Sequence, residues 1–183
     1  MSGSGTPNNE AAFRPDPRRT LRNPIHLMGI GFGSGLLRPA PGTWGSVAAW
    51  VVYLVALRDL PAWSLVLLII LGTLAGIYVC GRTAADWQVH DHDAIVWDEW
   101  IGQWIALSGL AAWPLLWLPA FLLFRLFDIW KPGPIGWADR NCTGGLGIMA
   151  DDLLAGAAAC LATHMIGWAL DAGGVFVVAS GSS

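Results

Sequence analysis

Apolar residues come in long runs along this chain. Ala62 to Cys80 is apolar almost throughout and approaches the roughly 20 residues that a bilayer-crossing helix needs. Val47 to Leu57 is equally apolar but short for a full crossing. Ile101 to Phe124 is apolar again and is interrupted by Gly109, Pro114 and Pro119. It is too short for two straight spans. One straight span would carry the next residues to the opposite side. A broken, re-entrant hairpin would return them to the same side, which membranes permit when the bent backbone is buried in protein. The hairpin is the preferred expectation, because the polar segments flanking it carry complementary charge. A last helix, rich in Ala and Gly and opened by Asp151 and Asp152, is predicted to run to about Leu170.

Polar positions set the boundaries. Residues 1–23 are rich in Gly, Ser and Pro, carry Arg14, Arg18, Arg19 and Arg22, and are expected to form a flexible tail. Residues 24–170 form the helical membrane domain, and 171–183 a short C-terminal tail. Arginines before the first apolar segment favour a cytoplasmic N-terminus. The Arg58-Asp59-Leu60-Pro61 connection would then lie outside, and the chain would return to the cytoplasmic side near Arg82.

Composition supports the membrane reading. The chain is 55% hydrophobic and 13% charged, against about 25% charged in soluble domains, and its mean hydropathy is +0.53. An all-α, multihelical integral membrane protein is expected, with apolar helices and Gly-rich loops converging on an acidic site at the cytoplasmic face. The net charge of −3 gives no reason to expect a nucleic-acid partner. Twelve tryptophans suit both the headgroup layer and the core, and a mixture is expected. Cys80, Cys142 and Cys160 are scattered, with no zinc or disulfide spacing.

The chemistry concentrates in His90 to Trp104, which holds Asp91, Asp93, Asp98, Glu99, His90 and His92 in an otherwise greasy chain. Carboxylates against apolar surface are costly, and close ones repel. A divalent cation relieves both problems. A helix beginning at Asp91 would put Asp91, Ile95 and Asp98 on one face. Arg125, Asp128 and Lys131 are spaced by three, plus, minus, plus along one helical face, before Pro132 and Pro134 stop the helix. Lys131 and Arg140 could reach a phosphate there, or Lys131 could close a salt-bridge ladder with Asp128. Gly29 to Gly35, with Arg38 nearby, could form an anion nest or a packing turn; the turn is preferred on spacing. Asn141 to Gly147 reads as a second Gly-rich loop. Asp151 and Asp152 suit a helix N-terminus, and the small residues beyond them allow a close neighbour. Hard oxygen ligands with Lys/Arg and Gly-rich turns are the inventory of metal-assisted phosphoryl chemistry. An ion or proton transporter using intramembrane carboxylates is the alternative; it leaves the cations and Gly-rich loops unexplained.

Taken together, these motifs resemble bacterial phosphatidylglycerophosphatase A. The residues that carry the likeness are Gly31-Phe32-Gly33-Ser34-Gly35 with Pro41-Gly42-Thr43 and Gly45-Ser46, then His90-Asp91-His92 with Ile95-Val96-Trp97-Asp98-Glu99 and Gly102. Phe124-Arg125, Asp128, Trp130-Lys131-Pro132, Pro134-Ile135 and Asp139-Arg140 follow, and then Gly144-Gly145, Gly147-Ile148-Met149, Asp151-Asp152 and Ala155-Gly156. The resemblance implies a Mg²⁺-dependent, multi-pass phosphatase of the bacterial inner membrane. It would convert phosphatidylglycerophosphate to phosphatidylglycerol and phosphate at the cytoplasmic face. Asp98, Glu99, Asp128 and Asp152 would be the catalytic and metal-holding carboxylates, with Asp151 as a further ligand. Arg38, Lys131 and Arg140 would hold the phosphate, and His90 and Asp91 would support the site.

Overall fold

The computed structural model describes residues 14–172, and within them every regular element is helical. Expectations for residues 1–13 and 173–183 lie outside the described residues. The order is α1 (Pro17–Arg22), α2 (Pro24–Gly29), α3 (Pro41–Val52), α4 (Ala62–Trp87), α5 (Trp97–Leu107), α6 (Trp117–Trp130), α7 (Pro134–Asn141) and α8 (Gly144–Ala172). Asp16 and Asn23 cap α1 and α2 by accepting from backbone N–H groups two residues on, as short polar side chains do at N-caps. Part of the expected tail is therefore helical. A five-residue π-helical turn, Tyr53–Leu57, extends α3, so the short apolar segment begins at Pro41, ahead of Val47.

α8 is the axis of the bundle. α4 runs antiparallel to it, as the pairs Gly81/Gly145 and Gly76/Met149 show. α5 runs parallel to it, with Gly102 against Gly156 and Gly109 against His164. α6 comes back antiparallel, from Leu116 beside Gly167 to Lys131 beside Asp151. The segment from Ile101 to Phe124 is therefore a hairpin that returns the chain to the end it left. Its turn, residues 108–116, is bent by the positive φ of Gly109 and by Pro114. α5 has 11 residues, about 16 Å of helix, half of a bilayer's hydrocarbon thickness.

Tryptophans lock the core. Trp97, Trp100 and Trp104 are buried along α5. The Trp97 indole N–H donates to the Gly72 carbonyl at 2.9 Å, and that of Trp104 to the Ala49 carbonyl at 3.0 Å, so these large apolar rings are buried with those polar groups satisfied. Other tryptophans point outward at both ends. Trp130 and Trp137 are exposed at the end where α6 meets α7, and Trp63 and Trp168 at the far end. Tryptophans are thus found both in the core and on the surface. Two helices, Ala62–Trp87 and Gly144–Ala172, are long and apolar enough to cross a membrane. α4 presents Val66, Ile70, Leu74 and Tyr78 outward along its length.

Candidate active site

The site forms at one end of the bundle because a pair of glycines brings α5 and α8 together there. Gly102 lies one turn after Asp98 on α5, and Gly156 one turn after Asp152 on α8. A Cβ on Gly102 would sit 2.6 Å from the Phe124 ring and 2.7 Å from the Asp152 carbonyl oxygen, and one on Gly156 would run into the Gly102 carbonyl. Only glycines permit this crossing. It sets the carboxylates one turn back, Asp98 and Asp152, against each other. On the third side, a Cβ on Gly42 would collide with the Glu99 carboxylate, so α3 also begins in contact with the site.

Asp98, Glu99 and Asp152 each offer an oxygen within 4.8 Å of the others. Asp98 is 8% exposed and Asp152 2%. Asp98 Oδ1, Glu99 Oε2 and Asp152 Oδ2 are buried with no hydrogen-bond partner. Such orphaned oxygens are rare in a folded protein. Burial first, and then the charges of Glu99 and Asp152, hold the Asp98 carboxyl well above the usual carboxylate range. Burial also pushes Glu99 up to about 7; a hydrogen bond with Asp98 and the Arg125 charge oppose it and the Asp128 charge adds to it. Hard oxygen donors, close together and unpartnered, fit a divalent cation of the Mg²⁺ type.

Asp128, Asp151 and Asp152 make a second triad on the same distance criterion, but here cations are built in. Arg125 pairs closely with Asp128, lies 3.9 Å from Glu99 and donates to Ser46 Oγ at 3.2 Å. Ser46 in turn donates to the Gly42 carbonyl at 2.9 Å, which ties α3 into the network. Lys131 ends α6 in the left-handed conformation and donates to Asp139 at 2.5 Å and to Asp151 at 2.7 Å. Burial lowers its affinity for a proton, but the bonds to the two aspartates outweigh this and leave the ammonium above its ordinary pKa.

Two cavities adjoin these triads. One of about 300 Å³ is lined by Pro39, Gly42, Asp93, Glu99, Arg125 and Asp128, among others. A smaller one of about 140 Å³ holds His90, Asp91, Asp139, Cys142 and Asp151. The structure thus joins Asp98, Glu99, Asp128, Asp151 and Asp152 with Lys131, and sets His90 and Asp91 in the neighbouring cavity. Arg38 lines a separate cavity with Arg14. Arg140 is exposed on α7 and lines neither carboxylate cavity.

Three local expectations change, and a fourth is decided between its alternatives. α5 begins at Trp97, so Asp91 is in a loop and not on the Asp98 face. α8 begins at Gly144, so Asp151 and Asp152 lie about two turns inside it and cap nothing. Asn141 to Gly147 is mostly helix, because Gly145 is pressed against the Ile77 carbonyl of α4. The amides of Gly33 and Gly35 both bond the Ile30 carbonyl, at 3.1 and 3.0 Å, which takes them out of any anion nest and supports the preferred packing turn. Sequence reasoning gave no role to Asp139 or Ser46, and counted Arg125 among the cations of the region without placing it at the site. Their signals were present in the three-residue spacing of Arg125 and Asp128 and in the Asp139-Arg140 and Gly45-Ser46 pairs.

A family model described as phosphatidylglycerophosphatase A matches residues 27–167. The phosphatidylglycerophosphatase A of Escherichia coli strain K12 is 47% identical over 154 residues, covering 82% of this chain and 87% of the relative. That of Haemophilus influenzae strain Rd is 47% identical over 142 residues, covering 77% and 87%. No solved structure matches the chain. With the match running from the end of α2 almost to the end of α8 and taking in every carboxylate of both triads, this chain belongs to the phosphatidylglycerophosphatase A family.

Proposed function

We propose that this protein is a Mg²⁺-dependent lipid phosphatase that hydrolyses phosphatidylglycerophosphate to phosphatidylglycerol and phosphate in a bacterial inner membrane. The observation that carries the reading is the Asp98, Glu99 and Asp152 triad, with three buried oxygens lacking any partner, in a chain whose 47% identical relatives are named for this reaction. Asp98, Glu99 and Asp152 would hold the cation, which when bound supplies a Lewis acid for a phosphate oxygen. Arg125 lines the larger cavity and would bind the terminal phosphate by its guanidinium fork. Asp128 and Ser46 fix the direction of that fork. Lys131 orients Asp151 and so braces α6 against α8. In the reaction a water oxygen bonds to phosphorus, the bond from phosphorus to the glycerol oxygen breaks, and the alcohol leaves with a proton.

The membrane placement follows from the surface. α4 and α8 would span, α5 and α6 would form the re-entrant hairpin, and the exposed tryptophans at both ends would sit in the headgroup layers. Of the ten Lys and Arg residues, Arg58 is at the far end, over the Trp117 ring, and the other nine are on segments at the carboxylate end. The positive-inside bias makes that end cytoplasmic. Phosphate release tests both claims. Purified enzyme in detergent should release phosphate from phosphatidylglycerophosphate and stop with EDTA. A soluble short-chain substrate should be cleaved by everted membrane vesicles and spared by sealed right-side-out ones. Full turnover in chelated enzyme would remove the metal, and absence of phosphate release would favour the transporter.

A further inference from the structure

A third cavity, of about 290 Å³, opens beside the carboxylate site and is lined by Arg14, Pro15, Pro17, Gly35, Leu36, Arg38 and Ala94. Two arginines and no acidic residue line it. Two acids adjoin its lining residues in sequence: Asp16 is engaged elsewhere, accepting from the Arg18 amide at 2.9 Å and pairing with Arg19 at 3.7 Å, and Asp93 lines the carboxylate cavity instead. Among the described residues neither Arg14 nor Arg38 has an ion-pair partner. The walls are stiff. Pro15 and Pro17 fix one side, and on the other Gly35 lies so close to Ala94 that a Cβ would meet its carbonyl oxygen.

The position of this cavity matters as much as its charge. The chain passes from it into the larger carboxylate cavity at two places, from Arg38 to Pro39 and from Ala94 to Asp93. Adjacent Cα atoms are about 3.8 Å apart, so the linings of the two cavities adjoin at both places. Leu37, next to Arg38 in sequence, is an exposed apolar side chain.

We propose that the Arg14 and Arg38 cavity is a second anion subsite, which takes the phosphodiester joining the substrate's head group to its diacylglycerol while the carboxylate cavity takes the terminal phosphomonoester. This inference rests on the proposed function. Phosphatidylglycerophosphate carries both groups, separated by one glycerol unit, and the diester must lie close to a site rich in carboxylates. Like charges at that range repel by kcal/mol amounts in a partly buried site. A pair of unengaged guanidiniums offsets that repulsion and matches phosphate geometry. The subsite therefore separates lipids that carry a diester from simple phosphomonoesters.

The test compares short-chain phosphatidylglycerophosphate with phosphatidic acid, which has a phosphomonoester and no diester, in detergent. The ratio of their kcat/KM values is measured for wild type, Arg14→Gln, Arg38→Gln and the double variant. The ratio should fall about tenfold in each single variant and further in the double, mainly through KM for the diester substrate. Arg38→Lys should recover part of it. Phosphatidylglycerol, which keeps the diester and lacks the monoester, gives a second readout, since its inhibition constant should rise about tenfold in Arg38→Gln. Both side chains are exposed, so the variants should melt with wild type. An unchanged ratio, or equal losses on both lipids, overturns the subsite and leaves the arginines as a general basic surface. If wild type releases phosphate from neither lipid, the proposed function itself falls.

Discussion

Asp98, Glu99 and Asp152 on one side, and Asp128, Asp151 and Asp152 on the other, are two triads built on one shared residue. They balance their charge by different means. In the second triad the protein supplies the countercharge, with Arg125 on Asp128 and Lys131 on Asp151. In the first, the nearest protein cation is Arg125, 3.9 Å from Glu99, and one oxygen of each residue has no partner. Oxygens within 4.8 Å of each other, if all charged, repel by about 3 kcal/mol per pair at an effective dielectric near 20. Such a cluster survives by holding protons or a cation. Burial and the neighbouring acids raise the Asp98 and Glu99 carboxyls, the direction that favours holding protons when no cation is bound. The difference teaches that countercharge can come from two sources: Arg125 and Lys131 supply it to the paired triad, and on the proposed function a bound cation would supply it to the unpaired one.

The comparison breaks most visibly at the shared residue. Asp152→Asn keeps the shape and removes the charge. It should cost about 100- to 1000-fold in phosphate release, the range for losing one electrostatic group at a reacting centre. It should also leave the Mg²⁺-free protein at least as heat-stable as wild type, because one buried like charge is gone. Activity within threefold of wild type would assign Asp152 to packing. Gly102→Ala attacks the geometry beneath both triads. The added methyl meets Phe124 and the Asp152 carbonyl, and overpacking of this kind costs about 1–3 kcal/mol. A lowered melting temperature with a parallel loss of activity is expected, and a melt matching wild type would mean that the α5–α8 crossing is loose. The smallest effect belongs to the paired triad. Lys131→Met removes a partly exposed ammonium from Asp139 and Asp151 and should cost about 1 kcal/mol of stability and a few-fold in activity. A loss as deep as that of Asp152→Asn would show that Lys131 contacts the phosphate directly.

Much of this arrangement could be read from the sequence, because its strongest signals are local. The breaks at Gly109 and Pro114 predict the hairpin, and the pairing of Arg125 with Glu99 across it follows from the chain's return. The acids of the two triads stand out against apolar neighbours. What local pattern did not show is the purpose of the glycines. Gly144, Gly145 and Gly147 read as a loop, yet Gly145 is a packing point against α4, so α8 starts two turns early and Asp151 and Asp152 sit in its interior. A close helix contact is a property of two segments, and either one alone looks like a turn. Arg125 was not placed at the site for a similar reason. Its spacing to Asp128 looked like an ordinary intrahelical pair, and its role depends on Ser46 and Glu99, from two other helices. Arg38 drew attention as a cation beside glycines, but only the fold separates its cavity from the carboxylates.

Cation binding by the unpaired triad can be measured without turnover. Mn²⁺, which accepts the same hard oxygen ligands as Mg²⁺, is titrated into the purified protein in detergent and followed by electron paramagnetic resonance, with Mg²⁺ as competitor. Wild type should show a saturable, Mg²⁺-displaceable site. Asp98→Asn and Asp152→Asn should each weaken it at least tenfold, and Lys131→Met should leave it in place. Binding that survives both Asn substitutions, or a wild-type protein with no saturable site, would contradict the assignment of Asp98, Glu99 and Asp152 as the cation's ligands.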